Sequence, residues 1–130
     1  MNAKQRIGIV GAGLMGHGIA KNLVEKGFPL AVRGHRNRAP IDDLVRRGAI
    51  EVKTNAELAR ASEIVILCVT GAPQVEEVIF GADGIAGAAS PGTIVVDTST
   101  SEPATTAKVR EALAKQDVRF VDAPLARTPV

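Results

Sequence analysis

Gly11, Gly13 and Gly16 stand in the spacing G-x-G-x-x-G, directly after the short apolar run RIGIV and at the start of a stretch with helical periodicity. In that setting the first glycine permits a tight turn, the second lets backbone approach a pyrophosphate, and the third lets a helix pack close to its strand. The free N–H groups and the positive end of the helix dipole then face an anion. Glycines also serve ordinary turns between strand and helix, but the strand before and the helix after favour a dinucleotide site. About twenty residues further on, where a carboxylate would bind the ribose hydroxyls of NAD, the chain reads VRGHRNR, with Gly34 in place of an acid. A 2′-phosphate is repelled by Asp or Glu and gripped by a guanidinium, so NADP is expected in preference to NAD. Arg33 and Arg36 are the expected contacts, with Arg38 and His35 behind them. The plainer alternative is a solvated basic loop, because five of the ten arginines (Arg33, Arg36, Arg38, Arg46 and Arg47) fall within fifteen residues.

Other chemistries find little support. Cys68 lies in the most apolar run of the chain, where a thiol is expected to be inert packing. His17 and His35 have no Cys or carboxylate at a spacing that makes a zinc site, so no metal is expected. Asp97 and Asp122 both follow apolar runs and could line a cleft, although an acid at a strand terminus is commonly a turn or cap residue.

The elements that must position these residues alternate as strand and helix. Strands are expected at residues 6–10, 29–34, around 50–53, at 64–69, 93–97 and 118–124, each rich in Ile and Val and closed by Gly, Pro, Asp or Thr. Between them, Leu14, Ile19, Leu23 and Val24 mark a first helix ended by Gly27, and Ile41, Leu44 and Val45 a second ended by Gly48. Thr54 or Asn55 caps a third over Ala56 to Ala61, Pro73 opens a fourth through Val75, Val78 and Ile79, and Pro103 opens a fifth with Ala104, Ala107 and Leu113 inward. This pattern predicts a doubly wound α/β fold with a mainly parallel sheet in the order 3-2-1-4-5-6, a ligand lying over the carboxyl ends of the strands.

Length and composition agree with that reading. At 130 residues there is room for one domain, expected to occupy residues 1–130, and 45% apolar against 23% charged residues excludes disorder and fibrous repeats. Three Phe with neither Tyr nor Trp leave almost nothing from which to build base-stacking platforms, and a net charge of +2 does not call for nucleic acid. A single cysteine rules out an internal disulfide and fits a reducing, cytoplasmic setting. The apolar run at the start is too short for a secretory signal or a membrane span, so no membrane association is expected.

Four motifs together carry a resemblance to the β-hydroxyacid dehydrogenases, a family that includes 3-hydroxyisobutyrate dehydrogenase, tartronate semialdehyde reductase and relatives of 6-phosphogluconate dehydrogenase. They are IGIVGAGLMGHGIAKNLVEKG, EIVILCVTGAPQVEEVIFGADGI, IVVDTSTSEP and FVDAP, in the family's order and spacing. The resemblance implies an oxidoreductase acting on a small hydroxy acid or semialdehyde by hydride transfer. It places Leu14 and Met15 in the pyrophosphate turn, Val69 and Thr70 beside the cofactor, and Gln74 and Thr100 near the ribose and nicotinamide end. Val69-Thr70 replaces the common Leu-Pro, and DAPLART replaces the family's DAP-Ser-Gly-Gly. Ala126, Arg127 and Thr128 therefore occupy the substrate-gripping positions, where Arg127 could pair with a substrate carboxylate. The family's proton-transferring lysine belongs to a following helical domain, and none of Lys4, Lys21, Lys26, Lys53, Lys108 and Lys115 sits in a matching motif. The 130 residues are thus expected to bind cofactor without turnover and to expose apolar surface near the last strand, favouring self-association and a poorly ordered C-terminus. A non-catalytic dinucleotide-binding module, acting as sensor or scaffold, is the alternative.

Overall fold

The computed structural model describes residues 4–11, 14–33, 38–99 and 102–123, with Leu14 and Met15 described by backbone alone. Strands and helices alternate: β1 (Ile7–Val10), α1 (Leu14–Glu25), β2 (Leu30–Arg33), α2 (Arg38–Arg46), β3 (Ile50–Val52), α3 (Asn55–Arg60), β4 (Ile64–Leu67), α4 (Ala72–Phe80), β5 (Ile94–Asp97), α5 (Pro103–Ala114) and β6 (Arg119–Asp122). The six strands form one sheet in the order β3-β2-β1-β4-β5-β6, every pairing parallel. The chain reverses direction across the sheet between β1 and β4, and such a switch opens a crevice at the carboxyl strand ends.

Each face of the sheet carries its own core. On one side Ile7, Ile9, Leu30 and Val32 pack against Ala20 of α1 and Ile41 and Leu44 of α2. On the other, Val65, Leu67, Val95 and Phe120 meet Leu58 of α3, Val75 and Ile79 of α4, and Val109 and Leu113 of α5. All four β1 residues are buried, as a strand at the centre of such a sandwich requires.

Helix boundaries follow local chemistry. Thr54 caps α3, its Oγ1 accepting the Glu57 N–H at 3.0 Å, and prolines stand in the first turns of α4 and α5. At the far ends of α1, α2 and α5 the same motif recurs: the residue after the turn reaches back five positions, as in Phe28 N–H to Leu23 O, Ala49 N–H to Leu44 O and Val118 N–H to Leu113 O. The left-handed position is a glycine in the first two, Gly27 and Gly48, and Asp117, with φ 59°, in the third.

Several expectations need correction. Val45 is 41% exposed, because α2 turns only Ile41 and Leu44 to the sheet. In α5 the buried residues are Thr105, Thr106, Val109 and Leu113, while Ala104 and Ala107 face out. The small alanines gave no apolar stripe strong enough to place the inward face. β4 ends at Leu67, so Cys68 lies just beyond the strand and is only partly buried. On the edge strand β6, Val121 is 44% exposed while Phe120 beside it is buried. Residues 124–130 lie outside the described residues.

Candidate functional site

The carboxyl ends of β1, β4 and β5 converge, and backbone packing there is closer than any side chain would allow. Gly11 has φ +95°, and a Cβ on it would overlap the carbonyl of Cys68, where the chain leaves β4. A Cβ on Gly16 would run into the carbonyl oxygen of Gly11. The first and third glycines of the motif thus let the first turn of α1 settle on the end of β1 while that turn lies against the exit of β4. A cradle of this kind suits a pyrophosphate, which needs backbone N–H groups within reach and no side chain in the way. Gly13 lies outside the described residues.

Beside this cradle, hydrogen bonds tie the exits of β4 and β5 together. The Val69 N–H donates to Ser99 Oγ at 2.9 Å, and Thr98 donates to the Leu67 carbonyl through both its N–H at 2.9 Å and its hydroxyl at 2.6 Å. The Ser99 N–H in turn donates to Asp97 Oδ1 at 2.9 Å. Asp97 therefore acts as the acceptor of its own turn, and it is fully buried, with Oδ2 lacking a partner among the described residues. Burial pushes its carboxyl above the usual range against the opposing Ser99 bonds, and Asp122, in register on β6, pushes the same way.

The third side of the crevice is the exit of β2. Arg33 ends that strand with an exposed side chain, and among the described residues it has no ion-pair partner. Gly34, His35 and Arg36 lie outside the described residues. Arg38, Arg46 and Arg47 are engaged by carboxylates. Arg38, first residue of α2, pairs with Glu51 and Asp42, and Arg46 and Arg47 pair with Asp43. Arg47 also reaches Glu25 of α1 at 3.0 Å, and His17, next to Gly16, meets Asp43 Oδ2 at 2.6 Å. These contacts lash α2 to α1. The His17 hydrogen bond, then that of Arg47, holds the Asp43 carboxyl down to about 2.

Of the remaining expected contacts, Leu14 and Met15 open α1, Val69 is partly buried and Thr70 exposed just past β4, and Gln74 is exposed in the first turn of α4. Thr100, Ala126, Arg127 and Thr128 lie outside the described residues. Ser99, Glu51 and the His17–Asp43 contact go unmarked by the motifs of the chain. Ser99 lies inside the quoted TSTSEP run and could have been singled out there, whereas the other two join elements whose approach no local pattern records. A groove of about 340 Å³ between α5 and β6, lined in part by Asp117, Arg119 and Phe120, includes the amino end of β6, away from the glycine cradle. No group of three or more metal-ligating side chains occurs among the described residues, nor is any described helix long and apolar enough to cross a membrane.

A parallel 3-2-1-4-5-6 sheet with a glycine cradle at the switch point defines a Rossmann-type dinucleotide-binding fold. Residues 6–129 match the NAD binding domain of 6-phosphogluconate dehydrogenase, and the chain belongs to that family. It is 34% identical over 122 residues to the 2-hydroxy-3-oxopropionate reductase of Escherichia coli, which covers 93% of this chain and 41% of the relative. It is also 31% identical over 122 residues to the cytokine-like nuclear factor N-PAC of Xenopus tropicalis, 94% of this chain and 23% of the relative. Among solved structures, Psf3 in complex with NADP+ and 2-OPP superposes with a TM-score of 0.84 at 31% identity, covering 93% of this chain and 43% of that one. The chain thus spans less than half the length of these relatives.

Proposed function

We propose that residues 1–130 form the cofactor domain of an NADP-preferring oxidoreductase, and that the whole protein interconverts a small 3-hydroxy acid and its semialdehyde. The observation that carries this is the cradle at Gly11 and Gly16, set beside a β2 exit that ends in Arg33 without an acid on that strand. Bound there, the nicotinamide cofactor would supply or accept the hydride. The chain's own part is to hold it: the cradle takes the pyrophosphate, Arg33 and Arg36 take the 2′-phosphate, and Val69, Thr70, Gln74 and Thr100 line the way to the nicotinamide end. Ser99 keeps Val69 in place by accepting its N–H. Ala126, Arg127 and Thr128 meet the substrate, with Arg127 on its carboxylate, and the proton is handled by a lysine of a following helical domain. The solved relative with NADP+ and the reductase of E. coli support this reading. A reducing, cytoplasmic setting goes with it.

Titration of the chain with NADP and NAD tests the cofactor assignment. NADP is expected to bind more tightly, and Arg33→Ala and Arg36→Ala each to cost about 1.5–3 kcal/mol of NADP binding, the scale of a hydrogen bond to a charged group, with little change for NAD. Equal affinities that neither substitution alters would overturn it. The similarity to N-PAC, whose name carries no reaction, favours a second reading in which the domain binds nucleotide as a module. Whole-protein turnover of short 3-hydroxy acids separates the two.

A further inference from the structure

The guanidinium of Arg38 is held at two points by one carboxylate. Nη1 donates to Glu51 Oε2 at 2.6 Å and Nη2 to Glu51 Oε1 at 2.8 Å, while Nη2 also reaches Asp42 Oδ1 at 3.1 Å. Glu51 comes from β3, which pairs in parallel with β2 so that Glu51 stands opposite Val32 and Val52 opposite Arg33. The strand beside β2 thereby brings an acid to within one residue of the β2 exit, where β2 itself has none. Two carboxylate oxygens present to a guanidinium nearly the same edge as two phosphate oxygens, so Glu51 occupies the donors with which Arg38 would grip a phosphate. The pair is open to solvent, with Arg38 48% and Glu51 34% exposed, and exposed pairs of this kind are weak enough for a phosphate dianion to compete with them.

We propose that Glu51 is a specificity-determining residue for the dinucleotide: it stands in for a 2′-phosphate at Arg38 and so moderates the preference for NADP over NAD. This rests on the reading above, in which Arg33 and Arg36 are the primary contacts of that phosphate. Removing the Glu51 charge while keeping its shape leaves one neutral acceptor in place of two charged ones on the Nη1–Nη2 edge of Arg38, beside the single contact of Asp42, so a phosphate can displace it. Removing Arg38 while Glu51 is present takes away a group already engaged.

The test is calorimetric titration of NADP and NAD into the full chain and its Glu51→Gln, Arg38→Ala, double, and Arg36→Ala variants, with thermal melts to verify folding. Glu51→Gln is expected to tighten NADP about tenfold, the effect of one gained charge-assisted contact, and to leave NAD within about twofold. Arg38→Ala alone changes NADP binding less than about threefold, yet in the Glu51→Gln background it cancels the gain. The proposal is overturned if Glu51→Gln leaves the NADP-to-NAD ratio unchanged, or weakens both dinucleotides together as loss of a mere strut between β3 and α2 would. A ratio near one in every variant would instead bring down the NADP reading itself, and this proposal with it. A preference that Arg36→Ala abolishes and Glu51→Gln leaves untouched would sink the proposal alone.

Discussion

Asp97 shows how one residue's surroundings reverse the ordinary behaviour of its type. A carboxylate at a strand end usually sits in water, but here one oxygen accepts the Ser99 N–H and the other is buried without a partner among the described residues. Burial raises its pKa, so the folded chain binds this proton more tightly than the unfolded chain does. Stability contributed by the proton is complete at low pH and is lost as pH rises from the ordinary Asp range through the folded value. Asp97→Asn keeps an acceptor for Ser99 and cannot ionise. Its melting temperature should therefore exceed that of the parent at pH 7, because the amide carries no charge into the buried site. The advantage should vanish below about pH 4, where Asp97 is protonated in both states. A melting curve series showing the opposite trend would mean that the ionised carboxylate is the stabilising form.

Helix ends and helix–helix ties carry the next scale. α1 and α2 are joined through His17, Asp43, Arg47 and Glu25, and the Asp43 carboxyl is held near 2 against an ordinary value near 4. A depressed folded pKa contributes stability above the ordinary value and loses it as pH falls toward the folded one. Asp43→Asn should lower the melting temperature at pH 7, and the gap should close between about pH 4 and pH 2. Differential scanning calorimetry across that range reads it directly. At the end of α5 the left-handed position holds Asp117, where α1 and α2 have glycine. Relief of the side-chain clash there outweighs the added freedom of the unfolded chain, so Asp117→Gly is expected to stabilise by about 0.5–1 kcal/mol in urea unfolding. A loss of stability would show that the Asp side chain contributes to the turn.

At the scale of the whole molecule, the proposed reading separates holding the dinucleotide, which falls to the cradle, from moving the proton. Because proton transfer needs a positioned acid–base group and no lysine of this chain stands in the family's motif, the 130 residues are expected to bind dinucleotide and reduce no short semialdehyde at a measurable rate. Stopped-flow absorbance of the reduced nicotinamide checks this, and turnover of roughly 1 per second or faster would place the base within these residues. The alternation of Ile- and Val-rich runs with helical stretches predicts a mainly parallel sheet in the order the structure shows, since a right-handed crossover between parallel strands leaves few topologies. The glycine spacing was enough to place the cradle, because only glycine tolerates the backbone approach seen at Gly11 and Gly16. What the sequence did not determine lies between elements distant in the chain. Glu51 reaching Arg38, His17 reaching Asp43, and Asp97 buried beside the β6 acid all depend on strand register and helix placement, and these are set by packing against the two cores. A run of arginines reads as one basic patch along the chain, and folding divided it: Arg38, Arg46 and Arg47 went to carboxylates, while Arg33 stayed at the strand end without an ion pair among the described residues.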